Sequence, residues 1–271
     1  MDGRPQAWAG YRRVDGEAAA RANATAWSAD AQGYLAEHGA TLGAADHVWG
    51  PEGLREADAC LLGDTATLRD RIVVEVGAGA AQCSRWLVTQ GVRALATDVA
   101  QGMLDAAAAL DRATGIRTPM LVADARALPL PDACADAVFT SFGAIPFVPD
   151  AHRVHAEAAR VLRPGGRWVA SVTHPARWMF PDDPTLAGTT VTRPYFDRRP
   201  YVEADGDAVT YAEFHRTVGD HVRDVVAAGL DLVDLVEPEW PPGREVVWGG
   251  WGPERGALVP GTLILVADKP G

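Results

Sequence analysis

Residues 73 to 87 read VVEVGAGAAQCSRWL, a β-branched run that breaks at Gly77 and Gly79 and resumes at helical spacing with Cys83, Trp86 and Leu87. Glycine at the end of a strand lets the backbone turn sharply and brings its N–H groups close to a ligand that a β-carbon would hold away. The stretch therefore predicts a strand, a tight turn and a helix, with a ligand at the turn. Downstream the pattern repeats. Residues 92–97, 120–123, 137–141 and 167–173 read as further strands. Helical stripes lie between them, one through Met103, Ala107 and Leu110, and one through Val154, Ala158, Val161 and Leu162 behind a candidate cap at Asp150. Short links between alternating strands and helices predict a doubly wound α/β domain on a parallel sheet.

The tail of the chain departs from this alternation. A stripe through Phe214, Val218, His221, Val222 and Val225 predicts one more helix, followed by strands at 230–236 and 262–267 with no helix between them. Two such consecutive strands should pair antiparallel. Residues 1–70 read as a helical segment and residues 174–212 as an insertion rich in Pro, Asp, Arg and Tyr; the remainder of 71–271 is the α/β domain. Ligands in this architecture sit beyond the carboxyl ends of the strands, so both extra segments are expected to cover that edge as lids.

Composition narrows the partners. A formal charge of −11 without a basic cluster argues against nucleic acid. The first twenty residues are polar and charged, and no run approaches a membrane span, so a cytoplasmic protein is expected. Three widely spaced cysteines suit a reducing compartment and form no metal-ligand pattern, and Cys83 reads as a small buried filler.

The turn spells Gly77-x-Gly79-x-x-Gln82, and the third glycine of a dinucleotide fingerprint is missing. Asp98, at the end of the second strand, can accept both hydroxyls of a ribose, and Asp124 ends the third strand, placed to accept an adenine amine. In this order, VVEVGAGAA, ATDVAQGML, VADARALPL, ADAVFTSF and RVLRPGGRWVAS resemble the class I S-adenosylmethionine-dependent methyltransferases, in particular the small-molecule, type 11-like branch. The resemblance covers roughly residues 70–173. It implies a Rossmann-like sheet of seven mostly parallel strands with an antiparallel last strand. It also implies S-adenosyl-L-methionine as cofactor, S-adenosyl-L-homocysteine as product and a small-molecule acceptor methylated on O, N or C.

The same resemblance assigns roles. Glu75 and the backbone of Gly77, Ala78 and Gly79 would hold the amino-acid end of the cofactor, and Asp98 the ribose. Val99 and Met103 would line the adenine, with Asp124 and Ala125 at its edge and Ser141 and Phe142 below the sulfonium. Trp27, Tyr34 and Trp49 fall on the expected lid, and Tyr34 and Trp49 are candidates for the methionine end because aromatic faces attract a sulfonium. For a general base the candidates are His174, directly after the fifth strand, and His215, at the expected start of the last large helix. His152 and His155 are expected in solvent on an outer helix, and Arg177, Tyr195 and Tyr201 of the insertion could grip a substrate. A monomer or homodimer is expected. Two other readings share these features: an NAD-dependent oxidoreductase, and a module that binds S-adenosylmethionine without turnover.

Overall fold

The structure is a computed structural model and describes residues 7–271. Residues 1–6, which open the expected helical lid, lie outside the described residues. In chain order the elements are β1 (Ala7–Tyr11), α1 (Gly16–Leu42), α2 (Glu56–Ala59), α3 (Thr65–Leu68), β2 (Ile72–Val76), α4 (Gln82–Thr89), β3 (Arg93–Asp98), α5 (Gln101–Thr114), β4 (Met120–Val122) and β5 (Ala135–Ser141). They continue with α6 (Ala151–Val161), β6 (Leu162–Thr173), β7 (Tyr201–Asp205), β8 (Ala208–Glu213), α7 (Val218–Ala227), β9 (Asp231–Val236), α8 (Pro253–Gly256) and β10 (Thr262–Asp268).

Seven strands form one sheet in the order β4-β3-β2-β5-β6-β10-β9, in which β10 alone runs antiparallel to its neighbours. The strand order reverses between β2 and β5, and this is where a doubly wound sheet opens a crevice. Successive residues of each central strand supply opposite cores. Val74, Val138, Trp168, Ala170 and Leu265 pack under α6 and α7. Val73, Phe139, Val169 and Ile264 pack under α4 and the 47–68 segment, with Trp49 and Leu62. Because both faces are covered, these strands read as unbroken apolar runs.

Three local expectations are corrected. Asp150 stands at the N-cap of α6 but makes no capping bond, because its carboxylate faces Arg153 and Arg126 instead. Helix α7 begins at Val218, capped reciprocally by Thr217 and Asp220, so Phe214 and His215 precede it in the link from β8. His155 is not in solvent: it is fully buried, and its Nδ1 accepts the indole N–H of Trp168 at 3.0 Å.

A second sheet of three antiparallel strands, β1-β7-β8, joins the N-terminal segment to the insertion. Helix α1 lies along it and is held by Asn23, which is buried. The Asn23 amide donates to the carbonyls of Phe147 and Ala212 and accepts the Ala212 N–H, each at 2.8 Å. Farther along, α1 crosses α5 so closely that a Cβ on Gly102 would come within 2.1 Å of the Ser28 carbonyl oxygen. Among the described residues no helix is long and apolar enough to cross a membrane.

Candidate functional site

A cavity of about 230 Å³ opens at the carboxyl ends of β2, β3, β4 and β5, with α1 over it. At its floor is the glycine turn. Gly77 has φ +68, and a β-carbon there would lie 2.5 Å from the Ala144 nitrogen. The converse also holds, since a β-carbon on Gly143 would stand 2.2 Å from the Gly77 carbonyl oxygen. The first glycine is thus required by a backbone-to-backbone approach between the turns that follow β2 and β5. In the second turn Phe142 and Ala144 both take positive φ, +57 and +46, conformations that cost a non-glycine residue about 1–2 kcal/mol each.

Three carboxylates face the cavity from neighbouring strand ends. Glu75, in β2, is buried and accepts both the backbone N–H (2.9 Å) and the hydroxyl (2.5 Å) of Ser84. Burial outweighs those bonds and pushes its carboxyl up to about 7. Asp98, at the end of β3, accepts the Gly79 N–H on one oxygen and the Ala100 N–H on the other, each at 2.8 Å. Burial also raises its carboxyl, against those two bonds. Asp124, two residues beyond β4, is clasped by the Arg126 guanidinium, with Nη2 at 2.8 Å. Burial would raise the Asp124 carboxyl, but the guanidinium overcomes it and holds the carboxyl below the usual carboxylate range. Arg126 also reaches Glu17 in the first turn of α1 at 2.8 Å, so one side chain ties Asp124 to the overlying helix.

Twelve of the thirteen candidate cofactor residues come together at this cavity: Glu75, Gly77, Ala78 and Gly79 at the turn; Asp98, Val99 and Met103 beside it; Asp124 and Ala125 at the edge; Ser141 and Phe142 after β5; and Tyr34 from α1. Trp49, His174 and His215 are not among its lining residues. Trp49 is fully buried in the core under α4, among Val73, Leu87 and Phe139, donating its indole N–H to Glu56 at 2.9 Å. His174 accepts the Ala176 N–H on Nδ1, which leaves Nε2 to donate to Glu237 at 2.8 Å. His215 donates from Nε2 to the Tyr195 carbonyl at 2.6 Å and packs against Trp178. Both rings are held by protein partners away from the cavity. The 174–212 insertion supplies none of the cavity's lining residues, and neither do Arg177, Tyr195 or Tyr201.

Trp27, placed on the expected lid, lines the cavity as well, and Phe147 and Arg126 line it without having been singled out in the sequence. Trp27 and Phe147 face each other edge-on with centroids 5.2 Å apart, and Tyr34 stands edge-on to Trp27 at 5.6 Å. Arg126 carries no signal in the sequence beyond lying two residues after Asp124. The signal for Phe147 was its place after the β5 turn. Among the described residues no group of three or more His, Cys, Asp and Glu comes together as a metal site.

The sheet order, with its antiparallel β10 and the crevice beyond β2 and β5, is the class I S-adenosylmethionine-dependent methyltransferase fold. Residues 74–170 match the model of a family described as a methyltransferase domain. An S-adenosylmethionine-dependent methyltransferase from Mesorhizobium loti superposes with a TM-score of 0.62 at 25% identity, over 81% of this chain and 100% of that one. The 1,6-didemethyltoxoflavin-N1-methyltransferase of Burkholderia thailandensis, solved with S-adenosylhomocysteine, shares the fold at TM-score 0.61 and 19% identity, over 100% of this chain and 97% of the other. In sequence, a ubiquinone/menaquinone biosynthesis C-methyltransferase of Acidiphilium cryptum is 42% identical over 103 residues, 36% of this chain and 40% of that protein. The chain thus spans about 40% of the length of this curated relative.

Proposed function

We propose that this protein is an S-adenosylmethionine-dependent methyltransferase acting on O, N or C of a small molecule. The observation that carries the reading is the convergence of Glu75, Asp98 and Asp124 on one cavity at the switch point of the sheet, around a turn that only glycine can make. The residues fit the cofactor. Asp98 spends one backbone bond on each oxygen and keeps lone pairs for the two ribose hydroxyls. Glu75 would accept from the ammonium of the amino-acid end. The buried amide nitrogen of Gln82, which lines the cavity without a protein partner, is a donor suited to the neighbouring carboxylate. Asp124 would take the adenine amine, and Met103 and Val99 would pack on the base.

When bound, the cofactor supplies an activated methyl group on a sulfonium. The chain then has to align the donor and the acceptor and keep water out; such positioning is worth roughly 7–11 kcal/mol. Helix α1 would serve as the lid, with Trp27, Tyr34 and Phe147 offering ring faces and edges toward the sulfonium side of the cavity. We take the protein to work in the cytoplasm, as a monomer or homodimer. A nicotinamide oxidoreductase is not favoured, given the family match over residues 74–170.

Calorimetry with S-adenosylhomocysteine, followed by methyl transfer from labelled S-adenosylmethionine across a metabolite panel, tests the proposal. Micromolar binding and a labelled product are expected, whereas binding without turnover would leave a non-catalytic module. Asp98→Ala should weaken S-adenosylhomocysteine by about 2–4 kcal/mol through two lost charge-assisted bonds. Unchanged affinity in that variant, or tight NAD binding without any response to S-adenosylhomocysteine, would overturn the reading.

A further inference from the structure

Resting on the methyltransferase reading, we propose that the indole N–H of Trp27 is the hydrogen-bond donor to the methyl acceptor, and that the acceptor is a flat ring whose enol or phenol loses its proton to water unaided. Three features of the cavity carry this. Trp27 Nε1 is buried and has no protein partner although its side chain lines the cavity. Buried donors are rarely left unpaired without a reason. Asn23 makes its three bonds to Phe147 and Ala212, and the Ser141 hydroxyl donates to the Val48 carbonyl at 2.8 Å; the Tyr34 hydroxyl and the Arg21 guanidinium also line the cavity without a bond among the described residues, but unlike the indole N–H they are not sealed from solvent. Gln82 has a second buried unpaired donor, but it opens α4 just past the glycine turn, at the end assigned to the amino acid of the cofactor.

The second feature is shape. Trp27 packs edge-on against Tyr34 and Phe147 at interplanar angles of 87° and 74°, and these three rings, with Phe142, give the cavity an aromatic wall that suits a flat ring better than a branched chain.

The third is the absence of a base. No histidine lines the cavity, and burial pushes the Tyr34 hydroxyl further up, so it stays protonated at neutral pH. Glu75, Asp98 and Asp124 are taken by the proposed cofactor contacts. The acceptor must then arrive as a nucleophile, its proton given to water beforehand, and the indole N–H stabilises the resulting oxyanion. An electron pair of the anion, on oxygen or on the conjugated ring carbon, forms the new bond to the methyl carbon. The S–CH3 bond breaks and its pair stays on sulfur as a neutral thioether; after attack by carbon, the ring proton leaves to water.

The test uses 4-hydroxycoumarin, an acidic flat enol, and 4-methoxycoumarin, which cannot ionise, each added to the full chain saturated with S-adenosylhomocysteine. Calorimetry should show 4-hydroxycoumarin binding about tenfold more tightly than the methoxy compound, as loss of one charge-assisted bond implies. The Trp27 indole proton, assigned by its absence from the NMR spectrum of Trp27→Phe, should move downfield with 4-hydroxycoumarin only. Trp27→Phe keeps an aromatic wall, so it should lose about tenfold for 4-hydroxycoumarin while S-adenosylhomocysteine affinity stays within about threefold. Equal binding of the two coumarins, binding of neither, or an unshifted indole proton would overturn the proposal. If S-adenosylhomocysteine alone shifts that proton and loses affinity in Trp27→Phe, the donor serves the cofactor and the proposal fails while the methyltransferase reading stands. Failure of the wild-type chain to bind S-adenosylhomocysteine would overturn both.

Discussion

Glu75 is a carboxyl titrating within the physiological range, with burial pushing it up to about 7 and the Ser84 hydroxyl and N–H pulling the other way. Only its ionised form can accept from a cofactor ammonium without giving up its charge. S-adenosylhomocysteine affinity measured by calorimetry should therefore rise with pH through about 7 and level off above it. Glu75→Gln should flatten that rise and bind more weakly at the plateau. Gly77 gives a second test at this scale. Its positive φ is shared with Gly115, where a β-carbon would meet nothing within 4 Å, but only Gly77 also faces a backbone nitrogen at 2.5 Å. Gly115→Ala should cost about 1 kcal/mol of left-handed strain, and Gly77→Ala at least about 2 kcal/mol more, both read by denaturant unfolding. The glycine spacing and the strand-end acids were legible in the sequence because their chemistry is local to a turn. The chain order put His174 at the right edge of the sheet, but it carries no information on which way a ring turns, and the Ala176 N–H and Glu237 turned this one aside.

Helix α1 depends on one buried amide. Asn23→Ala would leave two carbonyls and an N–H of Phe147 and Ala212 buried without partners, a loss of about 3 kcal/mol at the junction of α1 with β8. Amide exchange in α1 should quicken while the amides of β2 and β5 keep their protection; equal quickening in both would mean that the helix and the sheet open as one unit. Asn23 was invisible in the sequence because its partners are main-chain atoms distant along the chain. The central strands of the main sheet were legible, since burial on both faces leaves plain apolar runs such as Ile72–Val76. The β7–β8 hairpin was not: its strands are only five and six residues long, and the acids Glu203 and Asp205 on its exposed face made the insertion read as polar, while only the face of Val202 and Ala212 meets the α1 side.

Acid should loosen the whole molecule. His47 and His155 are buried and held neutral, with burial lowering both to about 3, and burial lowers His221 well below its usual value too. In the unfolded chain each takes up a proton near 6.5, so the stability they contribute is complete above that value and drains away as pH falls below it. The loss is about 2 kcal/mol per ring by pH 5. Glu75, raised in the fold, works in the opposite sense over the same window and offsets about one ring. His155→Gln keeps an acceptor for the Trp168 indole, so its unfolding free energy from urea titrations should fall less than the wild type's between pH 7 and pH 5, by about 2 kcal/mol. An equal fall in the two proteins would show that His155 is protonated in the fold. The small sheet has a different consequence at this scale. Ala7 pairs with Asp205, so a chain leaving the ribosome must finish its nucleoside-binding half before its first strand can find a neighbour. Until then α1 can rest on α5 alone, and the end of the roof that Asn23 ties to Ala212 stays unpinned.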